Sequence, residues 1–322
     1  MIRWGVLGAA SIARRRVIPA IQVSRNSRVT AVASREPARA QALARELQIA
    51  VVHDTYDALL ADPNVDAVYI PLLNHEHHTW TIAAARAGKH ILCEKPLAMN
   101  AAEADEMVTA ARAAGVLLTE GFMYRFHPRV VRLFELVRAG AIGEVRLIHS
   151  IFTIGPLPPG HTRLDPKLGG GALMDLGCYA VNLARQVYGA EPAAVTALAY
   201  IGATGVDETF GGVLRFPGGP LCVFDVSIAG QLSVQYELIG TAGRLVVPHG
   251  FRPETNQPTE LVLERGMERE VIAVEPADQY RLMFEEFADA ILDNRPPRYG
   301  PDDAVANMRV VDTLRAAAHA TG

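Results

Sequence analysis

Cysteine is scarce: there are three in 322 residues, none in a CxxC pair and none at zinc-ligand spacing. An odd number cannot all pair, and the spacing offers no zinc pattern, so the chain reads as reduced rather than as a disulfide-built scaffold or a cysteine zinc centre. A surplus of one charge is missing too, because 31 basic and 35 acidic residues leave a formal net charge of −4. That balance gives no electrostatic footprint for nucleic acid or an anionic membrane surface. No apolar run approaches the roughly 20 residues of a membrane span. Repeats and low-complexity stretches are lacking. With no signal peptide ahead of the first strand-like run, the expected protein is reduced and cytoplasmic.

What is present is core material, since half of the residues are hydrophobic and the length suits about two domains. Strand-like runs at 2–10, 29–35, 65–73, 90–95 and 116–122 alternate with helical patterns at 11–24, 36–48, 77–89 and 101–115. A short helix is expected in "YDALLADP". Such alternation with short loops predicts a parallel sheet covered on both faces. Beyond residue 123 the texture changes. Helical patterns at 127–140 and 172–189 flank a Pro/Gly-rich loop at 155–171. Closely spaced strand-like runs then follow from 194 to 274, and helical patterns at 277–293 and 302–319 end the chain. The spacing predicts a mostly antiparallel sheet. The fold class is thus α/β: a Rossmann-type doubly wound domain at 1–122, and an α+β domain at 123–322 on an open sheet. The last helix is a candidate to pack back on the first domain.

Gly8, Ala10 and Ala13 occupy the three small-residue positions of a GxGxxG/A turn between strand and helix. The first permits a tight turn; the others admit a pyrophosphate and close helix packing. Small residues alone also make ordinary tight turns, but here a strand precedes, a helix follows and a second strand comes at the expected distance. An NAD-preferring site usually has a carboxylate at the tip of that second strand. The tip here reads Ser34-Arg35, with Arg39 one helical turn on. A hydroxyl and guanidinium groups suit a 2′-phosphate through charge-assisted bonds, which predicts preference for NADP(H), with NAD(H) also possible. The plain alternative is a solvated arginine at a helix start.

"ILCEKPLAMN" (91–100) begins as a buried strand, then turns charged at Glu94 and Lys95 and is stopped by Pro96. Ligands of a doubly wound sheet sit at the carboxyl ends of its strands. There Lys95 can bond a substrate hydroxyl and a ribose, Glu94 can orient it, and Pro96 can fix the turn. An isolated EKP would otherwise be an exposed loop. "HEHH" (75–78) invites a metal, but no ligand set completes it, and none is expected.

These segments together resemble the Gfo/Idh/MocA family of nicotinamide-dependent oxidoreductases over nearly the whole chain. The resemblance is carried by "GVLGAASIA", by "EKP" (94–96), by Asn74 and His77 ahead of a crossover helix, by "EGFMYRFHP" (120–128) and by "GGGALMDLGCYAVNLARQVYG" (169–189). Asp175, Gly177 and Tyr179 give the DxGxY form of the branch holding glucose–fructose oxidoreductase, NADP-dependent D-xylose dehydrogenase and dimeric dihydrodiol dehydrogenase. Inositol dehydrogenases instead have histidine at the Tyr179 position. The resemblance implies that Lys95 and Tyr179 form an acid/base pair and that Asp175 binds a further sugar hydroxyl. A phenol, ordinarily near pKa 10, needs a neighbouring ammonium to work at neutral pH. It also implies cofactor contacts from Gly8, Ala10, Ser11, Ile12, Ser34, Arg35, Arg39, Pro71, Asn74, His77, Glu94, Lys95 and Pro96. Arg125, His127 and Arg163 are candidates to line the substrate cleft, although a salt bridge explains Arg125 and a solvated loop explains Arg163 nearly as well. By residue type alone, Tyr179 would be a helix aromatic and Asp175 an acid near a helix N-terminus. The implied activity is hydride transfer to or from a sugar or polyol, with a trans-dihydrodiol or anhydro-ketose as the alternative. A non-catalytic NADP sensor is the reading of another class. Relatives associate through the open sheet, so a homodimer or homotetramer is expected.

Overall fold

A computed structural model describes residues 1–320 and divides into two compact units. The first joins Met1–Met123 to Asp278–Val305. Its sheet comprises β1 (Ile2–Leu7), β2 (Ser27–Ala33), β3 (Val51–His53), β4 (Ala67–Ile70), β5 (His90–Cys93) and β6 (Leu118–Glu120). All pair in parallel, in the order β3-β2-β1-β4-β5-β6. The order reverses between β1 and β4, the switch point at which such sheets open a crevice outside their carboxyl ends. Buried on both faces, β4 and β5 read as continuous apolar runs. Helices α1 (Ile18–Gln22), α2 (Pro37–Leu47), α3 (Tyr56–Leu60), α4 (Asn74–Arg86) and α5 (Ala101–Ala113) make the crossovers. Their starts are written locally: Pro37 opens α2, and Asn100 Oδ1 accepts from Glu103 N at 2.9 Å to cap α5.

Two differences from the sequence expectation have simple causes. Strand β3 was not expected; it is three residues long and Val51 is exposed, too little apolar pattern to announce a strand. The segment Asp278–Val305, expected in the second domain, belongs to the first unit. Phe284 in its helix meets Trp4 edge-on at 4.8 Å and Tyr69 at 5.4 Å, a buried aromatic contact with the first strands. Asn26 Nδ2 adds bonds of 2.8 Å to Glu285 O and Asp289 Oδ1.

The second unit holds Tyr124–Ala277 and the chain from Ala306 onward. After α6 (Pro128–Arg138) come β7 (Val145–Thr153), α7 (Cys178–Tyr188), β8 (Ala194–Ile201), β9 (Asp207–Arg215), β10 (Leu221–Ser227), β11 (Ser233–Gly240), β12 (Arg244–Pro248), β13 (Thr259–Arg265) and β14 (Glu268–Val274). The strand order is β14-β13-β12-β11-β7-β10-β9-β8, antiparallel throughout except for β7 beside β10. Leu214, Cys222, Phe224, Val226, Tyr236 and Leu238 point into the core, while Val213 and Val223 fall on the opposite face by the period of two. The helix Gln279–Leu292 of the first unit is α8, and α9 (Pro301–Ala320) starts in the first unit and continues in the second. A Cβ on Gly212 would lie 2.5 Å from Phe224 and 3.2 Å from Leu314 of α9, so this glycine sets how closely helix and sheet approach. Among the described residues no helix is long and apolar enough to cross a membrane.

Candidate active site

At the end of β1, Gly8 adopts φ +107°, and its N–H still bonds Ala33 O at 2.7 Å. A Cβ there would meet Leu72 Cδ2 at 2.9 Å, so conformation and space both demand glycine. Ala13 is fully buried, Ala10 and Ile12 are half-buried and Ser11 is exposed. The residues that follow, Ala13–Val17, form a π-helical turn leading into α1. The side-chain-free cradle at Gly8 and the helix start beside it fit the pyrophosphate of a dinucleotide.

The tip of β2 closes the other side of this cradle. Ser34 is buried, its Oγ accepting from Glu36 N at 3.3 Å. Arg39 donates to Ala9 O at 3.3 Å and so ties α2 to the turn. Arg35 pairs with Glu76 Oε1 at 3.1 Å while its own side chain stays 63% exposed. Glu76, in the first turn of α4, carries no local sequence signal for this pairing, which depends on the end of β2 and the start of α4 lying side by side. His75 is exposed and His78 bonds Glu106 at 2.8 Å. Among the described residues no group of three or more His, Cys, Asp or Glu is placed to hold a metal ion.

Past β5 the backbone stop works as a braced loop. The Tyr69 hydroxyl donates to Glu94 Oε1 at 2.7 Å; burial beside that carboxylate pushes the phenol well above its ordinary range. Leu97 N donates to Glu120 Oε1 at 2.8 Å. His77 lies with Nδ1 3.0 Å from Pro96 O and Nε2 3.1 Å from Leu72 O. Burial pushes His77 down to about 4, so at neutral pH the uncharged ring donates to one of these carbonyls. The ring is 0% exposed and holds the backbone at Pro96 and Leu72. Lys95 is half-buried between these braces, Pro71 is buried and Asn74 is half-buried at the start of α4. Tyr69 and Glu120 carried no local signal, because their role depends on which strands become neighbours.

Asp175 and Tyr179 stand on one continuous helix of the second unit, but its first turn, Leu173–Gly177, is π-helical rather than α-helical. A Cβ on Gly177 would lie 2.9 Å from Leu173 Cδ1 within the same turn, and at ordinary contact distance, 3.5 and 3.7 Å, from Phe224 and Val226 of the sheet. Arg163, from the Pro/Gly-rich loop, meets Asp175 Oδ2 through Nε at 2.6 Å. Tyr179 is 4% exposed, its ring 5.1 Å from Phe251, 5.6 Å from Phe152 and 5.9 Å from Tyr124. Arg125 is buried on the 3₁₀ turn Met123–Phe126. His127 is buried as the N-cap of α6, accepting from Arg129 N at 3.1 Å, and burial pushes it down to about 4.

The family model for oxidoreductases with an NAD-binding Rossmann fold matches residues 2–122, and that for the GFO/IDH/MocA C-terminal domain matches residues 130–246. A D-xylose 1-dehydrogenase (NADP(+)) of Haloferax volcanii is 39% identical over 97% of this chain and 95% of its own. The chain belongs to the GFO/IDH/MocA oxidoreductase family. An uncharacterized oxidoreductase of Rhizobium meliloti is 38% identical over 99% of this chain and 97% of its own. A 3-ketoreductase from Actinomadura kijaniata, crystallised with NADP and TDP-benzene, superimposes with a TM-score of 0.94 at 33% identity, covering 98% of this chain and 97% of that one. As a GFO/IDH/MocA protein the chain is an oxidoreductase, and both sheets have the character expected from its sequence.

Proposed function

We propose that this oxidoreductase depends on NADP(H) and moves a hydride between nicotinamide and a hydroxyl-bearing carbon of a sugar, oxidising an aldose at C1 in one direction. The bound nicotinamide supplies the hydride acceptor or donor; the chain supplies position and proton handling. Gly8, Ala10, Ser11 and Ile12 would hold the pyrophosphate, Ser34, Arg35 and Arg39 the 2′-phosphate, and Pro71, Asn74, Glu94, Lys95 and Pro96 the nicotinamide end. NAD(H), lacking that phosphate, would bind more weakly. Tyr179 exchanges the substrate hydroxyl proton, and the Lys95 ammonium favours its phenolate. Asp175, Arg163 and Arg125 take the remaining hydroxyls.

The observation that carries the sugar reading is the 2.6 Å contact of Arg163 with Asp175, one helical turn ahead of Tyr179. A carboxylate and a guanidinium offer acceptors and donors suited to several hydroxyls, which favours a polyhydroxylated substrate over an aromatic dihydrodiol. The NADP-dependent D-xylose dehydrogenase among the relatives supports the same choice. A mere sensor of NADP would not need the proton shuttle that Lys95 and Tyr179 make together.

Reduced-nicotinamide absorbance, followed while pentoses, hexoses and diols are screened, tests the reading. NADP-linked aldose oxidation is expected, and Tyr179→Phe should lower kcat by about 100-fold or more while NADP binding persists. Near-normal turnover of that variant removes Tyr179 from proton transfer. The open face of the second sheet, with Leu198 and Tyr200 of β8 each 65% exposed, would join copies into a homodimer or homotetramer. Light scattering at micromolar concentration should give a multiple of the 34.8 kDa chain mass.

A further inference from the structure

The helix that carries Asp175 and Tyr179 begins without a cap of its own. Gly171 stands where a capping side chain would, and its carbonyl accepts from Asp175 N at 3.1 Å. It has no side chain for the N–H groups of the first turn, which a helix leaves without intrahelical partners. Those groups turn to the sheet instead. Asp207, at the start of β9, accepts from Leu173 N at 2.6 Å through Oδ2 and also from Ala172 N. Gly171 makes room for it: at φ +110°, a Cβ there would lie 2.0 Å from Asp207 Oδ1. Glycine and aspartate are two halves of one device, in which a residue that cannot cap admits a carboxylate from a strand 34 residues on.

We propose that Asp207 is a positioning residue for the reaction, fixing the helix start from the sheet so that Asp175 and Tyr179 project in register. The proposal rests on the reading of Tyr179 as the group that exchanges the substrate proton. A π-helical turn has a wider hydrogen-bonded ring than an α-turn, so its side-chain directions depend on where it is pinned. Here it is pinned at its start, where Asp207 holds Leu173 N, while the turn as a whole packs on β10. Arg315 of α9 faces Asp207, bonds Met174 Sδ at 2.8 Å and pairs with Asp312 at 3.5 Å. Asp175 is engaged by Arg163, and Glu208 lies against Gly202. Burial pushes Asp207 up to about 6.

Asp207→Ala and Asp207→Asn, measured beside Tyr179→Phe, test the role. In Asp207→Ala the amides of residues 172–175 should lose protection in hydrogen–deuterium exchange while the rest of α7 keeps it. Its kcat should fall by about 10- to 100-fold, the scale of a small misplacement of reacting groups. The Kd for NADP, whose proposed contacts lie in the first unit, should stay within about twofold on the same geometric argument. Asp207→Asn keeps an oxygen acceptor, so its kcat should stay within about tenfold, less than the cost of losing the bond outright, and the part of the kcat profile titrating near pH 6 should vanish. If the alanine variant does not fold, the asparagine variant carries the test, and a wild-type pH profile overturns the role. Lost turnover in Tyr179→Phe with wild-type kcat in both Asp207 variants overturns the proposal alone. Normal turnover in Tyr179→Phe overturns the underlying reading and the proposal with it.

Discussion

Around Lys95 the fixing contacts are polar and converge on a loop: Tyr69 on Glu94, His77 on Pro96 O and Glu120 on Leu97 N. Around Tyr179 they are aromatic and converge on a ring, with Phe251, Phe152 and Tyr124 within 6 Å of its centroid. The difference follows from the element that carries each residue. A loop past a strand end has backbone groups with no ladder to satisfy them, so buried side chains must do it. A helix satisfies its own backbone and can be held by packing, except at its start, where Asp207 supplies the missing acceptor. A long polar side chain therefore needs a polar cage, and a flat aromatic one an apolar wall.

Removing one piece from each side gives the widest contrast. Phe251 is 0% exposed and touches Tyr124, Phe152, Tyr179 and Tyr236 at centroid distances of 5.0–5.7 Å. Phe251→Ala should cost about 3–5 kcal/mol by opening a cavity, and should lower kcat because Tyr179 loses a wall. Tyr69→Phe removes only the donor to Glu94 and should cost about 1.5–3 kcal/mol, the worth of a hydrogen bond to a charged group. Urea denaturation with kinetics checks both. A larger loss in Tyr69→Phe than in Phe251→Ala would reverse the comparison.

Acid should separate the two regions next. His77 in the first unit and His127 in the second are each pushed down to about 4 by burial. The unfolded chain, with histidine near 6.5, takes up protons first, so stability is lost as pH falls from about 6.5 toward 4, by up to roughly 3 kcal/mol per histidine. Asp207 works in the opposite sense. Its folded value of about 6 means that the folded chain binds the proton first, so stability is gained as pH falls through that value. The second unit thus holds opposing contributions, with His161, also lowered by burial, adding to His127 and Asp207 working against both, while in the first unit His90, likewise lowered by burial, adds to His77. Between pH 6.5 and 5, amide exchange in β4 and β5 should speed up before exchange in β9 and β10. The reverse order would show that these groups do not govern acid sensitivity.

The parts of the site that lay in short stretches were legible in the sequence. Gly8 announces a turn because only glycine takes that φ, and Pro96 marks the end of β5 because proline cannot continue a central strand. The alternation of strands and helices gave the first sheet, and the close spacing of apolar runs gave the second. Contacts made by chain return were not legible. Nothing near Phe284 says that it will meet Trp4, and nothing near Asp207 says that it will cap a helix beginning at residue 172. Glu120 and Tyr69 belong to the same class. The parallel pairing of β7 with β10 was hidden for a related reason: a run of hairpin-like spacings does not reveal that an earlier strand will insert between β10 and β11.

The smallest effects on folding should come from the rim of the cradle, where Arg35 and Glu76 join a polar cage to solvent. Their 3.1 Å pair has a 63% exposed arginine and a 12% exposed carboxylate, so its worth to folding is small. Glu76→Gln should change stability by less than about 1 kcal/mol. Its effect on cofactor choice should be larger than its effect on folding, because a guanidinium without its carboxylate presents a fuller charge to a 2′-phosphate. NADP should then bind a few-fold tighter and NAD about as before. Arg35→Ala should weaken NADP by about 1.5–3 kcal/mol, the worth of a charge-assisted bond, and leave NAD unchanged. Fluorescence titration of both cofactors against the two variants decides the matter. An NADP/NAD ratio that moves in neither variant would make the pair an ordinary surface salt bridge and shift the recognition of the phosphate to Ser34 and Arg39, which stay tied to the turn through Glu36 and Ala9.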